Sequence, residues 1–520
     1  MTTPHTPSSS GSTTEPAIHP TATTEGATMS TTTPRPHSAP ADAQQHRDHD
    51  DATAPKKSWA LLGVALAAQI LVVLDISVVN TALPSIGRSL DLGGSQLQWL
   101  VTAYLMMSGG GLLLGGRTAD LLSRRTVFLT GLALFTVASL FSGFAETGGQ
   151  LIATRSMQGL SAALLTPSAL ALIMTTYAGS QRKAALALWG AVGSLGVAAG
   201  VLLGGAITTW TSWQFIFWIN APVGLVALVV GRRIITHDVA PRPSLSAFDL
   251  PGAVTVIGGL ASLIFGLGGT ATHGWWSMHT ATAFAVSIAL LVTFLKLEQR
   301  AARPLFPPHV WKLDSLVSGT AVMLGVTGIL VGTVFLTSIF LQTVLGFTAL
   351  RTGLAFVPFA LAITAGTVVA RHLLAHVSPR TIAAAGLMIT VAAALLLSTV
   401  GSDAHYAGDI LPGLAALGLG VGMVFVPVSV TSMAGIPASH SGVASGFLMT
   451  GHEIGAALGV AVLSAVASTA GSLTTASGAA DAFSRGFIGA AAMGAVVAVF
   501  AVLRMSKTVA AGGGGHLHMH

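Results

Sequence analysis

The sequence predicts an all-α membrane protein, because the chain is too apolar for a soluble fold and contains many long hydrophobic stretches. Of its 520 residues, 52% are hydrophobic and only 8% are charged, whereas soluble domains carry about 25% charged residues. A helix needs about 20 apolar residues to cross the hydrocarbon core. Fourteen stretches approach or exceed this length: 59–83, 97–117, 126–145, 150–176, 184–208, 213–231, 250–270, 278–296, 315–343, 350–371, 380–400, 408–431, 441–469 and 485–503. We therefore expect fourteen transmembrane helices.

The basic residues predict that both termini are cytoplasmic, since cytoplasmic loops are enriched in Lys and Arg. With the N-terminus inside, all but four of the 24 Lys and Arg residues fall on the cytoplasmic side. The exceptions are Arg88, Arg351 and Arg485, which fall outside, and Arg155, which lies within the fourth span. With an odd number of spans, the Lys and Arg residues after the miscounted span would fall on the outer side instead.

Two cytoplasmic linkers divide the spans into six, two and six. We expect a disordered cytoplasmic tail at 1–58, an N-terminal six-helix bundle at 59–231, linkers and an inserted helix pair at 232–314, a C-terminal six-helix bundle at 315–505 and a His/Gly-rich cytoplasmic tail at 506–520. Repeats of whole bundles are typical of transporters.

Composition also argues against several function classes. The chain has no cysteine, which excludes disulfides and cysteine zinc sites, and we expect no metal site. A net charge of +6 spread over the whole chain forms no basic patch, so we expect no nucleic-acid partner. No G-x-x-x-x-G-K-[ST] run occurs, so no ATP site is predicted. We expect a monomer without a cofactor.

The first span carries a carboxylate, Asp75, in LDISVVNTALP (74–84). A charged residue at membrane depth faces the protein interior and has a partner. Gln69 and Asn80 share one face of this helix, whereas Asp75 lies about 140° from Asn80. We therefore expect Asp75 to face another helix of the N-terminal half, within reach of Arg155.

Two further spans carry charges. Arg155, in LIATRSMQGLSAAL (151–164), is predicted to face inward, although a position near the outer interface is an alternative. In GVASGFLMTGHEIGAALGVAVLS (442–464), three glycines spaced by four form a packing face, and Glu453 lies on the opposite face. We expect Glu453 to face a central cavity and to bind and release a proton, with a structural hydrogen bond as the alternative.

These runs resemble the major facilitator superfamily, and among its members the EmrB/QacA-type fourteen-span drug:proton antiporters. GGRTADLLSRRTVF (115–128) is similar to the family's loop between spans 2 and 3. The resemblance implies that Gly116, Asp120, Arg124 and Arg125 lock one access state, with the start of span 13 near Ser439 to Ser441 as the partner of Asp120.

Three other runs carry the same resemblance. LIATRSMQGLSAAL is similar to the family's proton-coupling motif, which implies that Asp75, Arg155 and Glu453 couple transport to protons. WGAVGSLGVAAGVLLGG (189–205) is similar to the antiporter motif, with Gly196, Gly200, Gly204 and Gly205 as its packing glycines and Val201 in place of its proline. WQFIFWINAPVG (213–224) is typical of span 6, with Gln214 in place of an arginine.

The expected function is export of drugs or antibiotics, as amphipathic small molecules, across a bacterial cytoplasmic membrane in exchange for protons. Candidate substrate-lining residues are Gln69, Asn80, Gln158, Asn220 and Met449. Met106, Met107 and Met423 are expected to add to an adaptable apolar surface. A dedicated exporter of one endogenous metabolite and a proton-coupled importer remain alternatives. An enzyme is not expected, because three scattered intramembrane charges form no catalytic cluster.

Overall fold

In the computed structural model of the protein, every regular element among the described residues is a helix. The described residues are 58–236, 249–301, 304–305, 313–434, 436, 441–473 and 475–505; a few side chains within helices, that of Asp120 among them, fall outside the description. The helices are α1 (Ala60–Leu90), α2 (Gly94–Leu121), α3 (Arg124–Ser142), α4 (Gly148–Thr176), α5 (Gly179–Trp210), α6 (Phe215–Trp218), α7 (Asn220–Ile234), α8 (Leu250–His273), α9 (Met278–Arg300), α10 (Asp314–Thr343), α11 (Ala349–Leu373), α12 (Pro379–Leu397), α13 (Leu411–Met433), α14 (Ser441–Ala467) and α15 (Ala476–Arg504).

Each of the fourteen apolar stretches coincides with a helix, the sixth with α6 and α7 together. Among the described residues, twelve helices are long and apolar enough to cross a membrane. The all-α membrane class is therefore confirmed, whereas the fourteen-span count and the side on which the termini lie remain predictions. The predicted tails, apart from Ser58, and most of the two linkers lie outside the described residues.

Several helices are longer than the apolar stretches that predicted them, and α1 and α15 show the largest extensions at a single end. α1 continues through Pro84 to Leu90, and α15 begins at Ala476 rather than at Arg485. Hydropathy locates the part of a helix that lies in hydrocarbon, and a helix can continue beyond it into polar surroundings. The additional turns of α15 include Asp481 and Ser484, whose polarity ended the predicted stretch.

The sixth span is interrupted between α6 and α7. Pro222 lies at the third position of α7; it has no N–H to donate to the carbonyl of Trp218, and its ring would clash with that carbonyl. The helix therefore stops at Trp218 and starts again at Asn220. This break places the Asn220 side chain in the protein interior, where it is buried.

Close glycine contacts set the packing of the long helices. α4 approaches α2 where Gly159 lies against the backbone of Tyr104, and α14 approaches α10 where Gly459 lies against Gly328. The inserted pair is joined by a hydrogen bond from Ser287 Oγ of α9 to the Gly259 carbonyl of α8, at 2.8 Å. α8 in turn packs on α2 and on α14. The division into six, two and six helices stays a prediction.

Large apolar side chains remain exposed on the outer faces of several helices. Val496 and Leu503 of α15 are each 70% exposed, and Leu361 of α11 is 65% exposed. Soluble proteins rarely expose contiguous apolar surface on this scale. These faces fit contact with lipid.

Replacing Gly459 by alanine is expected to destabilise the protein by about 1–3 kcal/mol, because its methyl group would collide with the backbone of Gly328. Gly63→Ala is the matched control, since no atom lies within 4 Å of the position its methyl group would take. Thermal unfolding in detergent should show a lower midpoint for Gly459→Ala alone. Equal midpoints for the two variants would contradict this contact.

Candidate functional site

Asp75 of α1 and Arg155 of α4 form an ion pair. Both lie in the N-terminal half, by which we mean helices α1–α7; helices α10–α15 are the C-terminal half. A guanidinium nitrogen, Nη1, donates directly to Asp75 Oδ2. Both residues are only 2% exposed. The structure thus brings together the two charges that helical periodicity predicted to face each other. The position of Arg155 near the outer interface, the alternative, is wrong.

Amide side chains complete the surroundings of the Asp75 carboxylate. Gln158 Nε2 donates to Asp75 Oδ1 at 2.9 Å and to Ser139 Oγ at 2.8 Å, and Asn220 Nδ2 donates to Asp75 Oδ1 at 3.3 Å. Gln158 Oε1 also accepts from Arg155 Nη1 at 3.0 Å. A buried charge requires this degree of hydrogen bonding to be tolerated.

Gln158 and Asn220 are therefore not substrate-lining residues, and that part of the prediction is wrong. Gln158 is fully buried, Asn220 is 3% exposed, and neither is among the residues lining the central cavity. Their polarity was read as a property of a binding surface. In the structure, the side-chain amides of Gln158 and Asn220 instead donate hydrogen bonds to the carboxylate of Asp75.

Helix α2 holds the arginine from its other side. Arg155 Nε donates to the carbonyl of Leu100 at 3.1 Å, and the guanidinium carbon lies 4.4 Å from the centre of the Tyr104 ring. A cation over a tyrosine face is stabilised by the ring quadrupole. Sequence reasoning did not identify Tyr104; the available signal was its rarity, as one of only three tyrosines in the chain.

A separate central cavity of about 820 Å³ lies between the two halves. Its walls come from α1, α2, α4 and α5 on one side and from α10, α11 and α14 on the other, and they are mostly apolar. Gln69, Asn80 and Met449 line it, and their contact with substrate stays a prediction. Among its described lining residues, Glu453 is the acid and Arg117 the only Lys or Arg.

Glu453 lies in the wall of this cavity because the opposite face of α14 packs against α10. Gly451, Gly455 and Gly459 lie against Thr320, Leu324 and Gly328 in turn. The Glu453 side chain is 15% exposed, and its Oε1 lies 3.6 Å from His452 Nδ1. Its Oε2 is buried with no hydrogen-bond partner among the described residues. This oxygen therefore lacks the hydrogen-bond donor that a buried carboxylate oxygen normally has.

The expected methionine-rich wall is wrong for three of its four members. Met449 is 44% exposed and lines the cavity. Met106 and Met423 are buried in the helix packing, and Met107 does not line the cavity. Methionine fills irregular gaps between helices as readily as it lines binding surfaces.

The predicted lock between α2 and α3 is only partly described. Gly116 lines the cavity, and Arg125 donates to the Arg232 carbonyl at the end of α7, at 2.8 Å. Arg124 lines a small pocket at the ends of α4 and α7. The side chains of Asp120 and Ser441 and the whole of residues 439 and 440 fall outside the description, so the lock stays a prediction.

The antiporter glycines pack α5 onto the helix that carries Asp75. Gly196 lies against Val73, Gly200 against Ser77, and Gly204 against Val78 and Thr81, all on α1. Gly205 instead lies against Ala349 and Leu350 of α11, across the boundary between the halves. This glycine stripe therefore connects the ion-pair helix to the opposite half of the protein.

Comparison with known proteins identifies relatives of this arrangement. The family model of the Major Facilitator Superfamily matches residues 65–460. The puromycin resistance protein pur8 of Streptomyces alboniger is 36% identical over 80% of this chain and 83% of its own length. The cephamycin export protein CmcT of Amycolatopsis lactamdurans is 37% identical over 78% of this chain and 85% of its own length.

A solved structure shares the fold. The POT family transporter PepTSo superposes with a TM-score of 0.63 at 16% identity, over 86% of this chain and 98% of its own. This likeness extends to the backbone arrangement.

Replacing Arg155 by methionine is expected to destabilise the protein by about 3–5 kcal/mol, because the Asp75 carboxylate would remain buried without its counter-charge. The double variant Asp75→Leu/Arg155→Met should recover much of this loss, since no unpaired charge remains. Thermal unfolding of the purified variants measures both effects. A double variant less stable than Arg155→Met alone would show that the pair contributes more than charge compensation.

Proposed function

The chain belongs to the Major Facilitator Superfamily, and we propose that it exports amphipathic small molecules, antibiotics among them, across a bacterial cytoplasmic membrane in exchange for protons. The observation that carries the proposal is the mostly apolar cavity between the halves, with Glu453 as the acid among its described lining residues. The similarity to a puromycin resistance protein and a cephamycin export protein supports export as the direction.

Two carboxylates with different surroundings support proton coupling. Asp75 accepts hydrogen bonds from Arg155, Gln158 and Asn220, away from the cavity. Glu453 has one buried oxygen without a partner among the described residues. In the proposed cycle a proton and the substrate compete for the cavity acid, while the Asp75–Arg155 pair responds to the rearrangement of the helices around it. The halves rock about the central site between two access states.

The proposed topology has fourteen spans with both termini in the cytoplasm. The support is the placement of the Lys and Arg residues, of which all but four lie on the cytoplasmic side in this arrangement. The end of the cavity near Gly116, Met174 and Pro304 then lies toward the cytoplasm. We propose that the protein works as a monomer, that a proton gradient drives transport and that no cofactor is needed.

A dedicated exporter of one endogenous metabolite is the second candidate. The names of the two relatives each refer to a single antibiotic class, which favours this narrower function. A substrate panel separates the two: export of one compound only would favour the dedicated exporter, and export of several unrelated compounds the broad one.

Neutralising either acid is expected to abolish export against a gradient. One proton moving through 100 mV supplies about 2.3 kcal/mol, which sustains a gradient of roughly 50-fold. Inverted vesicles that contain Asp75→Asn or Glu453→Gln and are energised with a proton gradient should therefore accumulate no substrate. Glu146→Gln, the same change at an exposed acid, is the control and should export normally. Full accumulation by both acid variants would contradict proton coupling through these residues.

A further inference from the structure

Pro84 exposes a backbone carbonyl inside α1. The helix continues through this proline, and a proline has no N–H to donate to the carbonyl four residues before it. That carbonyl belongs to Asn80, which is 4% exposed. A buried carbonyl without a donor is unfavourable. The Asn80 carbonyl therefore needs a partner from outside its own helix.

The partner comes from α10, in the other half of the protein. Ser338 Oγ donates to the Asn80 carbonyl at 2.6 Å. One turn later Gln342 Nε2 donates to the Thr81 carbonyl at 2.9 Å, and it also lies 3.3 Å from Ser338 Oγ. Ser338 and Thr81 are fully buried and Gln342 is 6% exposed. Two side chains spaced by one turn thus bind the turn of α1 that Pro84 opens.

These hydrogen bonds lie at the end of the cavity far from Gly116. The Asn80 side chain and Val334, one turn before Ser338, line the cavity. The halves also touch there through α5 and α11, where Thr209 Oγ1 accepts from the Leu350 N–H at 3.0 Å. In the proposed topology this is the outer end. Contacts between the halves at this end have to break if the cavity is to open outward.

We propose that Ser338 and Gln342 form a latch on the carbonyls beside Pro84, which holds the outer end of the cavity shut. The latch rests on the proposed alternating-access function. It assigns the proline of span 1 a role in the access equilibrium: the carbonyl it exposes is satisfied inside the protein only while α1 and α10 are together. Removing the Ser338 hydroxyl should favour the outward-open state.

The absence of native cysteine makes the access state directly measurable. Val334→Cys places the only thiol in the cavity wall, and a membrane-impermeant maleimide added outside intact cells reports outward opening. Adding Ser338→Ala should raise the labelling rate about tenfold, and Gln342→Leu should raise it as well. Ser318→Ala is the matched control, because among the described residues the hydroxyl of this buried α10 serine bonds only to the Ser315 carbonyl of its own helix.

Pro84→Ala provides an independent check. The alanine N–H satisfies the Asn80 carbonyl within α1, so adding Ser338→Ala to this variant should change labelling by less than about threefold. If Ser338→Ala acted by a general loosening of α10, it would raise the labelling rate equally with and without Pro84→Ala.

The outcomes are distinguishable. A rise with Ser338→Ala and Gln342→Leu but not with Ser318→Ala supports the latch. No rise with either of the first two, or an equal rise with Ser318→Ala, overturns the latch while leaving export intact. If Val334→Cys without other changes is never labelled from outside under a proton gradient of either direction, alternating access itself fails, and the proposed function fails with it. Size-exclusion chromatography of each variant establishes that it is folded.

Discussion

The buried contact between Asp75 and Arg155 imposes requirements on every helix around it. Two charges at membrane depth are tolerated only when each has partners, and beyond the pair itself those partners come from three helices. α4 supplies Gln158 beside the arginine, α2 supplies the carbonyl of Leu100 and the ring of Tyr104, and α7 supplies an amide. That amide belongs to Asn220, the first residue after the break that Pro222 causes between α6 and α7. The packing of the N-terminal half is thus organised around one ion pair.

The two membrane carboxylates differ because their neighbours differ. Asp75 is surrounded by hydrogen-bond donors from three side chains, which tie it to the helix arrangement. The position of Glu453 follows from the packing of the other face of its helix. The glycine face of α14 packs on α10, so Glu453 on the opposite face lies in the cavity wall. A proton or a cationic group entering the cavity meets Glu453 first. Asp75 does not line the cavity, so in the proposed cycle a proton bound at Glu453 affects Asp75 only through changes in the packing of the helices.

Helical periodicity was sufficient to predict the faces on which Asp75 and Glu453 lie, because each depends on angles within a single helix. The pairing of Asp75 with Arg155 needed a second argument, that a charge at membrane depth requires a partner. Sequence reasoning failed for Gln158 and Asn220, whose partners lie on other helices and whose polarity alone does not separate a binding surface from an internal hydrogen bond. Tyr104 carries neither charge nor motif. The helix ends differed from the apolar stretches for a related reason, since hydropathy describes the surrounding solvent and not the backbone hydrogen bonds.

At two contacts between the halves, the residue involved lacks an atom that other residues have. Gly205 has no side chain, so α5 can lie against the backbone of α11; Pro84 has no N–H, so α1 offers a carbonyl to Ser338. Contacts to backbone atoms bury little apolar surface and consist of a few hydrogen bonds of modest net strength. Contacts of this kind can form and break during a transport cycle at little cost, whereas the extensive side-chain packing within each half cannot.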